Sequence, residues 1–507
     1  MITNVVQYLD RQLREQKDKV AVAEEKVELT FEEIHFGATN IAQHIHTERL
    51  RYFNKPIIVF CTKSVMEYVA LMGVLYSGNY YVPLDVKMPK ERLKLIIGLL
   101  EAEIAITTSN LVSLLQETGF VGKIILLEKE VCERIPKGSV EKWSQNTIDT
   151  DPAYVLFTSG STGIPKGVVV SHRAIIDYIE WQCERFQFDK TSVLGNQAPF
   201  YFDASMPDIY TPLCSGATLQ IIPEMLFLLP NKLIDYINEK KINTLIWVPS
   251  ALMMLTNRDY FAQKSIEELR LVMFCGEVMP NKHLNIWRRY YPNAKFVNLY
   301  GPTEAAYACT YYEVDRKFTD EEPLPIGKPC ENTDIIVLNE NNQRVQKNEE
   351  GELCIRGSCL ANGYYNNSVK TEEAFTINPL NNLYEERIYR TGDIVRYNEY
   401  MELEYVGRRD FQIKHMGYRI ELGEIETAAY GMEEMRQCCA IYDNVENQIV
   451  LYCVVEKEKT EKDIFAFLKG KIPKYMLPGK ILLESELPLN ANGKIDRLLL
   501  KTKAQEK

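Results

Sequence analysis

The feature that most constrains this chain is the run Val155-Leu156-Phe157-Thr158-Ser159-Gly160-Ser161-Thr162-Gly163-Ile164-Pro165-Lys166-Gly167, followed by Val168-Val169-Val170. Glycines at 160, 163 and 167 let backbone N–H groups approach an anion closely, the hydroxyls at 158, 159 and 161 add donors, and Lys166 adds a point charge. Such a loop reads as a phosphate grip between two strands. The plain alternative is a simple hairpin, because Gly, Ser, Thr and Pro cluster in turns. Two familiar nucleotide loops are disfavoured. Lys166 follows Pro165 and precedes Gly167, so G-x-x-x-x-G-K-[ST] is absent, and no G-x-G-x-x-G opens a helix here.

Length and charge narrow the class. A chain of 507 residues exceeds one ordinary core and predicts about three or four domain-sized units. Net charge of −11 and a pI near 5.4 disfavour a nucleic-acid surface, so a phosphate ligand must be held locally. The twelve cysteines show no C-x-x-C spacing, and the adjacent Cys438-Cys439 is poorly placed for mutual bridging. They are expected to be reduced, buried thiols of a cytoplasmic protein. Residues from Met1 to Val6 carry no signal-peptide pattern. The most apolar stretch, Tyr68 to Leu84, is broken by Gly73, Ser77-Gly78-Asn79 and Pro83, which predicts a buried helix and strand and no membrane insertion. The six histidines have no metal-ligand spacing.

Along residues 1 to about 150, helical and strand patterns alternate. Val5, Leu9 and Leu13 recur at helical spacing, Val27-Glu28-Leu29-Thr30 reads as a strand, and Thr30 with Glu33 reads as a capping box. Ile57-Ile58-Val59-Phe60 is a compact buried strand. A second α/β stretch runs through Thr218–Ile222 and Thr244–Val248 to about residue 300. From Ile326 to about Val406 short strands such as Asp334–Leu338 and Gly351–Ile355 alternate with Asn, Gly and Glu turns, predicting a small β-rich subdomain. After Gly407-Arg408-Arg409-Asp410 about a hundred residues carry their own α/β pattern.

Three further motifs carry chemistry. In Asn298-Leu299-Tyr300-Gly301-Pro302-Thr303-Glu304 an aromatic face suits adenine, and a carboxylate beside a hydroxyl suits Mg²⁺, although Gly-Pro turns are common in loops. Tyr389-Arg390-Thr391-Gly392-Asp393 places a carboxylate after a turn, able to accept bonds from two ribose hydroxyls, or simply solvated. In Leu487–Arg497, Lys494 taken alone would be a surface lysine.

Together with the loop, these motifs resemble those of the adenylate-forming (acyl-activating) superfamily, in order and from Tyr154 to Arg497. The resemblance implies an α/β fold with a large N-terminal body of two mostly parallel α/β subdomains plus a small β-rich subdomain. A small mobile α+β C-terminal domain completes it. The body is expected over 1–409 and the mobile domain over 410–507, with Asp410 as hinge. ATP and Mg²⁺ are the implied cofactors. Thr158, Ser159, Gly160, Ser161, Thr162, Gly163 and Lys166 would hold phosphates; Asn298, Tyr300 and Gly301 would hold adenine. Asp393 would bind ribose, flanked by Tyr405 and Arg408, while Glu304 with Thr303 would hold the metal and Lys494 would be the catalytic lysine. Rotation about Asp410 would withdraw Lys494 and bring Lys414-His415-Met416-Gly417 to the site.

Phe202-Asp203-Ala204-Ser205 bears on the substrate. In amino-acid activators of the peptide-synthetase type an aspartate here pairs with the substrate ammonium, whereas a helix-capping aspartate is the plain alternative. The family's side-chain pocket falls on Asp203, Ala204, Pro207, Ser250, Met273, Cys275, Leu299, Tyr307 and Ala308. With Met273, Leu299 and Tyr307 bulky and no second charge among them, a small or medium uncharged amino acid is expected. Met273-Phe274-Cys275-Gly276-Glu277 also resembles D-alanine:carrier-protein ligases, although Ala204 and Pro207 depart from the larger residues expected there. With the sequence ending at Lys507, the expected acceptor is a phosphopantetheinylated carrier protein acting in trans. An acyl- or aryl-CoA ligase using free coenzyme A is the alternative enzyme, and a non-catalytic ATP-binding protein is the alternative outside catalysis.

Overall fold

Short apolar runs bounded by turns set the backbone. The structure, a computed structural model, describes residues 1–46, 52–130, 141–160, 163–258, 260–456, 459–489 and 495–505. Pro56–Phe60, Tyr80–Pro83 and Ile104–Thr107 are buried along their whole length, as strands covered on both faces must be. They belong to a seven-stranded sheet in which Lys123–Leu126, Ile104–Thr107, Pro56–Phe60, Tyr80–Pro83 and Pro152–Thr158 run parallel. Lys166–Ser171 then pairs antiparallel with Pro152–Thr158, so the glycine-rich loop is the tip of a hairpin at this edge. The hairpin reading of that loop is thus the one the backbone shows, with Thr158 paired to Lys166 at its described end.

A nine-stranded sheet forms the second layer system. Its central strands, Val20–Glu24, Thr218–Ile221, Val193–Asn196, Thr244–Trp247, Leu271–Phe274 and Lys295–Tyr300, are parallel, and antiparallel strands close both edges. The capping box forms as the sequence predicts: Thr30 Oγ1 accepts from Glu33 N at 3.2 Å and Glu33 Oε2 accepts from Thr30 N at 2.8 Å. Tyr68 to Leu84 resolves into the buried helix Val65–Tyr76 and the strand Tyr80–Pro83. Among the described residues no helix is long and apolar enough to cross a membrane.

An antiparallel sheet of Thr333–Leu338, Glu350–Gly357, Arg387–Tyr397, Phe375–Ile377 and Leu403–Arg408 forms the β-rich subdomain. Beyond it come the hairpin Gln412–His415/Tyr418–Glu421, the helix Leu422–Tyr430 and a three-stranded sheet of Met435–Asp443, Gln448–Val455 and Lys480–Leu483. This last part has its own apolar core, including Ile420, Ile425, Leu451 and Ile464. The described cysteines are all free, and most are buried.

Candidate active site

Several parallel strands of the nine-stranded sheet end on one cavity, as ligand sites in such sheets do. Lys295–Tyr300 delivers Gly301-Pro302-Thr303-Glu304, Leu271–Phe274 delivers Cys275-Gly276, and Thr244–Trp247 delivers Val248. Gly301 is obligatory, because a Cβ there would lie 2.4 Å from the Cα of Ala308. The 3-10 turn Asp203–Ser205 opens the helix Met206–Ser215 on the same rim. Thr158 and Ser159 line the cavity from the hairpin, and Lys414, Gly417, Tyr418, Arg419 and Tyr475 line it from the C-terminal part.

Asp203 faces this cavity and accepts a hydrogen bond from the Thr303 hydroxyl. Burial raises its carboxyl above the ordinary carboxylate range, against the bond from Thr303 and the charge of Lys414. Ala204, Cys275 and Tyr307 line the cavity with it. Pro207, Ser250, Met273, Leu299 and Ala308 do not reach it. Met273, Leu299 and Ala308 are core residues behind the wall, Pro207 is buried in the first turn of its helix, and the Ser250 N–H donates to Glu277 at 2.9 Å. Ala306 and Tyr307 take φ of 55° and 112°, a conformation L residues adopt only when packing over-determines it. Edge-on contact with Tyr178, at 5.7 Å between centroids, supplies part of that packing.

Glu304 is fully buried. Arg419 Nη1 donates to both its oxygens, at 2.9 and 2.7 Å, and Tyr364 Oη donates at 2.7 Å. Burial alone would raise its pKa, but Arg419 and Lys166 outweigh it and bring the carboxyl down to about 2. Asp393 is engaged likewise: Tyr300 Oη donates to one oxygen and Arg408 Nη1 to the other, the latter at 2.8 Å. Arg408 also holds Asp410 through Nε and Nη2, at 2.6 and 2.8 Å, so one guanidinium joins the two carboxylates. Tyr405 packs partly buried nearby, with Asp393 among the charges it feels. Lys414 Nζ lies 5.5 Å above the Tyr300 ring, while Asn298 turns its amide to the Pro325 carbonyl at 2.8 Å.

The glycine-rich loop is covered by the C-terminal part. Thr158 Oγ1 donates to the Lys166 carbonyl at 3.5 Å, and Ser159 Oγ donates to the Arg419 carbonyl at 2.8 Å while accepting from Glu421 N at 3.2 Å. Gly160 N donates to Glu424 at 3.2 Å, and Gly163 stands against Thr427. Lys166 Nζ lies 3.9 Å from Glu421. Ser161, Thr162 and Lys494 lie outside the described residues. The flanks of the Lys494 segment are fixed by the bridge Leu489 to Ile495 and by Arg497, which donates to the Ala440 carbonyl at 2.8 Å and to Glu426.

Sequence reasoning did not single out Arg92, Tyr201, Tyr418, Arg419, Glu421, Glu424 or Tyr475. Tyr418 stacks on Tyr475 at 3.8 Å and packs against Phe202 at 5.2 Å, so aromatic rings line the cavity beside Asp203. The density of charge around Arg419 and Glu421, directly after Lys414–Gly417, could have drawn attention to those two, whereas nothing local marks Arg92, Tyr201, Glu424 or Tyr475.

Fold and site together place a cavity at the carboxyl ends of parallel strands, lined on one side by the C-terminal part, as in α/β enzymes. The chain belongs to the AMP-binding enzymes, whose family model matches residues 9–365, with the AMP-binding enzyme C-terminal domain matching 424–494. It is similar over 98% of its length to two D-alanine--D-alanyl carrier protein ligases. The Bacillus licheniformis protein is 32% identical with 99% of its own length covered, and the Lactiplantibacillus plantarum protein is 32% identical with 98% covered. Tyrocidine synthase 1 of Brevibacillus parabrevis is 30% identical over 98% of this chain, which spans only 45% of that protein's length. Among solved structures, the Vibrio cholerae adenylation domain AlmE in complex with glycyl-adenosine-5'-phosphate matches with a TM-score of 0.85 at 22% identity, covering 100% of this chain and 98% of that one. The o-succinylbenzoate CoA synthetase of Bacillus subtilis matches at 0.86 and 18%, covering 99% and 98%, so the backbone alone does not separate amino-acid from CoA chemistry.

Proposed function

We propose that the chain is an AMP-forming amino-acid ligase acting in the cytoplasm. It joins an amino acid to AMP with release of pyrophosphate, then passes the aminoacyl group to the phosphopantetheine thiol of a separate carrier protein. The observation that carries this reading is the Asp203 carboxylate, held by Thr303 on the cavity wall where a substrate ammonium would find it. Similarity along nearly the whole chain to D-alanine--D-alanyl carrier protein ligases supports the same class. Ala204, Cys275 and Tyr307 line the cavity with Asp203 and bring no second charged side chain among them, which supports an uncharged amino acid, D-alanine among the candidates.

In the first half-reaction an oxygen of the substrate carboxylate attacks the α-phosphorus of ATP, and the bond to the bridging oxygen of pyrophosphate breaks. Thr158 to Lys166 orient the phosphates, Asp393 the ribose, and the Lys494 ammonium opposes negative charge that develops in flight. Glu304 suits a hard cation. Among the described residues no group of three or more His, Cys, Asp or Glu could hold a metal alone, so Mg²⁺ would share the Glu304 carboxylate with phosphate and water oxygens. When bound, it neutralises charge on the phosphate oxygens. Both Glu304 oxygens are engaged by Arg419 here, so the guanidinium must leave for a cation to enter. In the second half-reaction the thiol attacks the acyl carbonyl and AMP departs. The orientation described above, with Lys414, Gly417 and Arg419 in the cavity, suits this second step.

Pyrophosphate exchange over the common amino acids and their D forms tests the reading. Exchange stimulated by fatty or aromatic acids and not by amino acids would replace it with a CoA ligase. Asp203→Asn is expected to cost about 2–5 kcal/mol in kcat/KM for the amino acid, the range for removing one partner of a buried charge pair. Lys494→Ala should abolish most exchange while sparing aminoacyl transfer from preformed adenylate; equal loss of both would count against two orientations.

A further inference from the structure

Three helices meet at two thiols that do not line the cavity. Cys183 lies in the last turn of the helix His172–Phe186, and Cys214 in the last turn of the helix Met206–Ser215. Gln182 Nε2 donates to Thr211 Oγ1 at 2.8 Å, fixing the two helices against each other close to both cysteines. The helix Val6–Gln16 supplies a charge: Arg11 Nη2 donates to Cys214 Sγ at 3.7 Å and to the Cys214 carbonyl, which Gln12 Nε2 also reaches at 3.3 Å. Tyr8 Oη donates to Glu180 Oε1 at 3.1 Å, so the carboxylate that both thiols feel already has a donor. Among the described cysteines these two alone are not fully buried. Burial pushes up the thiols of the others. Cys214 is instead held below the ordinary thiol value, first by Cys183 and then, against burial, by Arg11, while Cys183 is pushed up by Cys214 and by burial. Each thiol is the largest influence on the other, one drawn toward thiolate and its neighbour kept as thiol. A helix C-terminus opposes a thiolate because its free carbonyls carry partial negative charge, so the guanidinium is what makes a nucleophilic sulfur possible here.

We propose that Cys214 and Cys183 form a redox-modification site for hydroperoxides, with Cys214 as the attacking sulfur, Cys183 as the resolving sulfur and Arg11 as the cation that holds the thiolate. The Cys214 thiolate attacks one peroxide oxygen, the O–O bond breaks, and hydroxide leaves, giving a sulfenic acid. The Cys183 thiol then attacks that sulfur, its proton passes to the departing oxygen, and water leaves as the disulfide forms. Two electrons have moved from the dithiol to the peroxide. A small dithiol reductant returns them by exchange. The site stands apart from the adenylation chemistry and does not depend on it.

Treatment of the full chain with hydrogen peroxide, then alkylation in denaturant and tryptic mass mapping without reductant, tests this. Cys183 and Cys214 are each the one cysteine of their tryptic peptides, residues 174–185 and 191–232. The expected product is these two peptides joined, and parted again by dithiothreitol. Cys183→Ser should stop at a Cys214 sulfenic acid captured by dimedone, and Cys214→Ser should give neither product. Arg11→Met should form the disulfide about tenfold more slowly, while Arg11→Lys, which keeps the charge, should stay within about threefold of wild type. Rates are compared between proteins whose thermal unfolding matches wild type, and the serine variants test the pair whatever the Arg11 variants do. Absence of the joined peptides in wild type overturns the proposal, as does bridging spread over other cysteines. Dimedone capture at Cys183 in Cys214→Ser, or a folded Arg11→Met that reacts at the wild-type rate, overturns the assigned roles and the proposal with them.

Discussion

Lys166 sits where burial opposes its charge, and the Arg419 guanidinium adds to the effect, bringing the ammonium down to about 8 despite the favourable carboxylates of Glu304 and Glu421. Being depressed from its ordinary value, it is protonated below that pH and neutral above it. Phosphate affinity is therefore expected to fall as pH rises through about 8. At higher pH the binding of inorganic pyrophosphate should take up a proton, read calorimetrically as a dependence of the heat on buffer ionisation. Lys166→Arg should lose the uptake, since a guanidinium stays charged. Individual residues such as Lys166, Asp203 and Glu304 were legible in the sequence because each stands in a dense local motif. Arg92 and Glu424 were not, because each is one charge on an ordinary helix and gains meaning only when residues 92, 160 and 424 meet. The side-chain pocket was half legible for a similar reason. Cys275 falls just past the strand end, in the cavity wall, whereas Met273, two positions earlier and within the strand, lies in the core.

Among elements, the strand Leu403–Arg408 and the turn after it decide how the two parts of the chain are joined. Asp393 pairs in register with Arg408 across the sheet, and Asp410 accepts from Arg408 and from Gln412 N at 3.2 Å. If residue 410 is the hinge, Asp410→Pro should slow transfer to the carrier more than pyrophosphate exchange, because proline fixes φ and restricts Arg409. Equal slowing of both steps would place the pivot elsewhere. Elements were read well from the sequence where local physics fixes them, as with the Thr30 capping box and the all-apolar strands. The nine-strand order was beyond reach, since Val20–Glu24 pairs with Thr218–Ile221 nearly two hundred residues away, and nothing local in either strand names its partner.

In the whole molecule, the C-terminal part meets the body at a few close approaches. Gly417, at φ 79°, donates to Glu277 at 2.9 Å, and a Cβ there would lie 2.6 Å from Cγ1 of Val248. Gly417→Ala should therefore disfavour this orientation, by about 1–2 kcal/mol through the backbone and about 1–3 kcal/mol through the clash. The expected outcome is slower thiol transfer with adenylate formation retained, measured as separate single-turnover rates. A second approach joins the aromatic rings. Tyr418 rests on Phe202, whose neighbour in the chain is Asp203. Redesign for a bulkier acid by trimming Phe202 or Tyr201 would thus remove the floor beneath Tyr418. Broader selectivity would come with a slackened grip on the C-terminal part, and hence with a lower turnover that no change to the acid itself could restore.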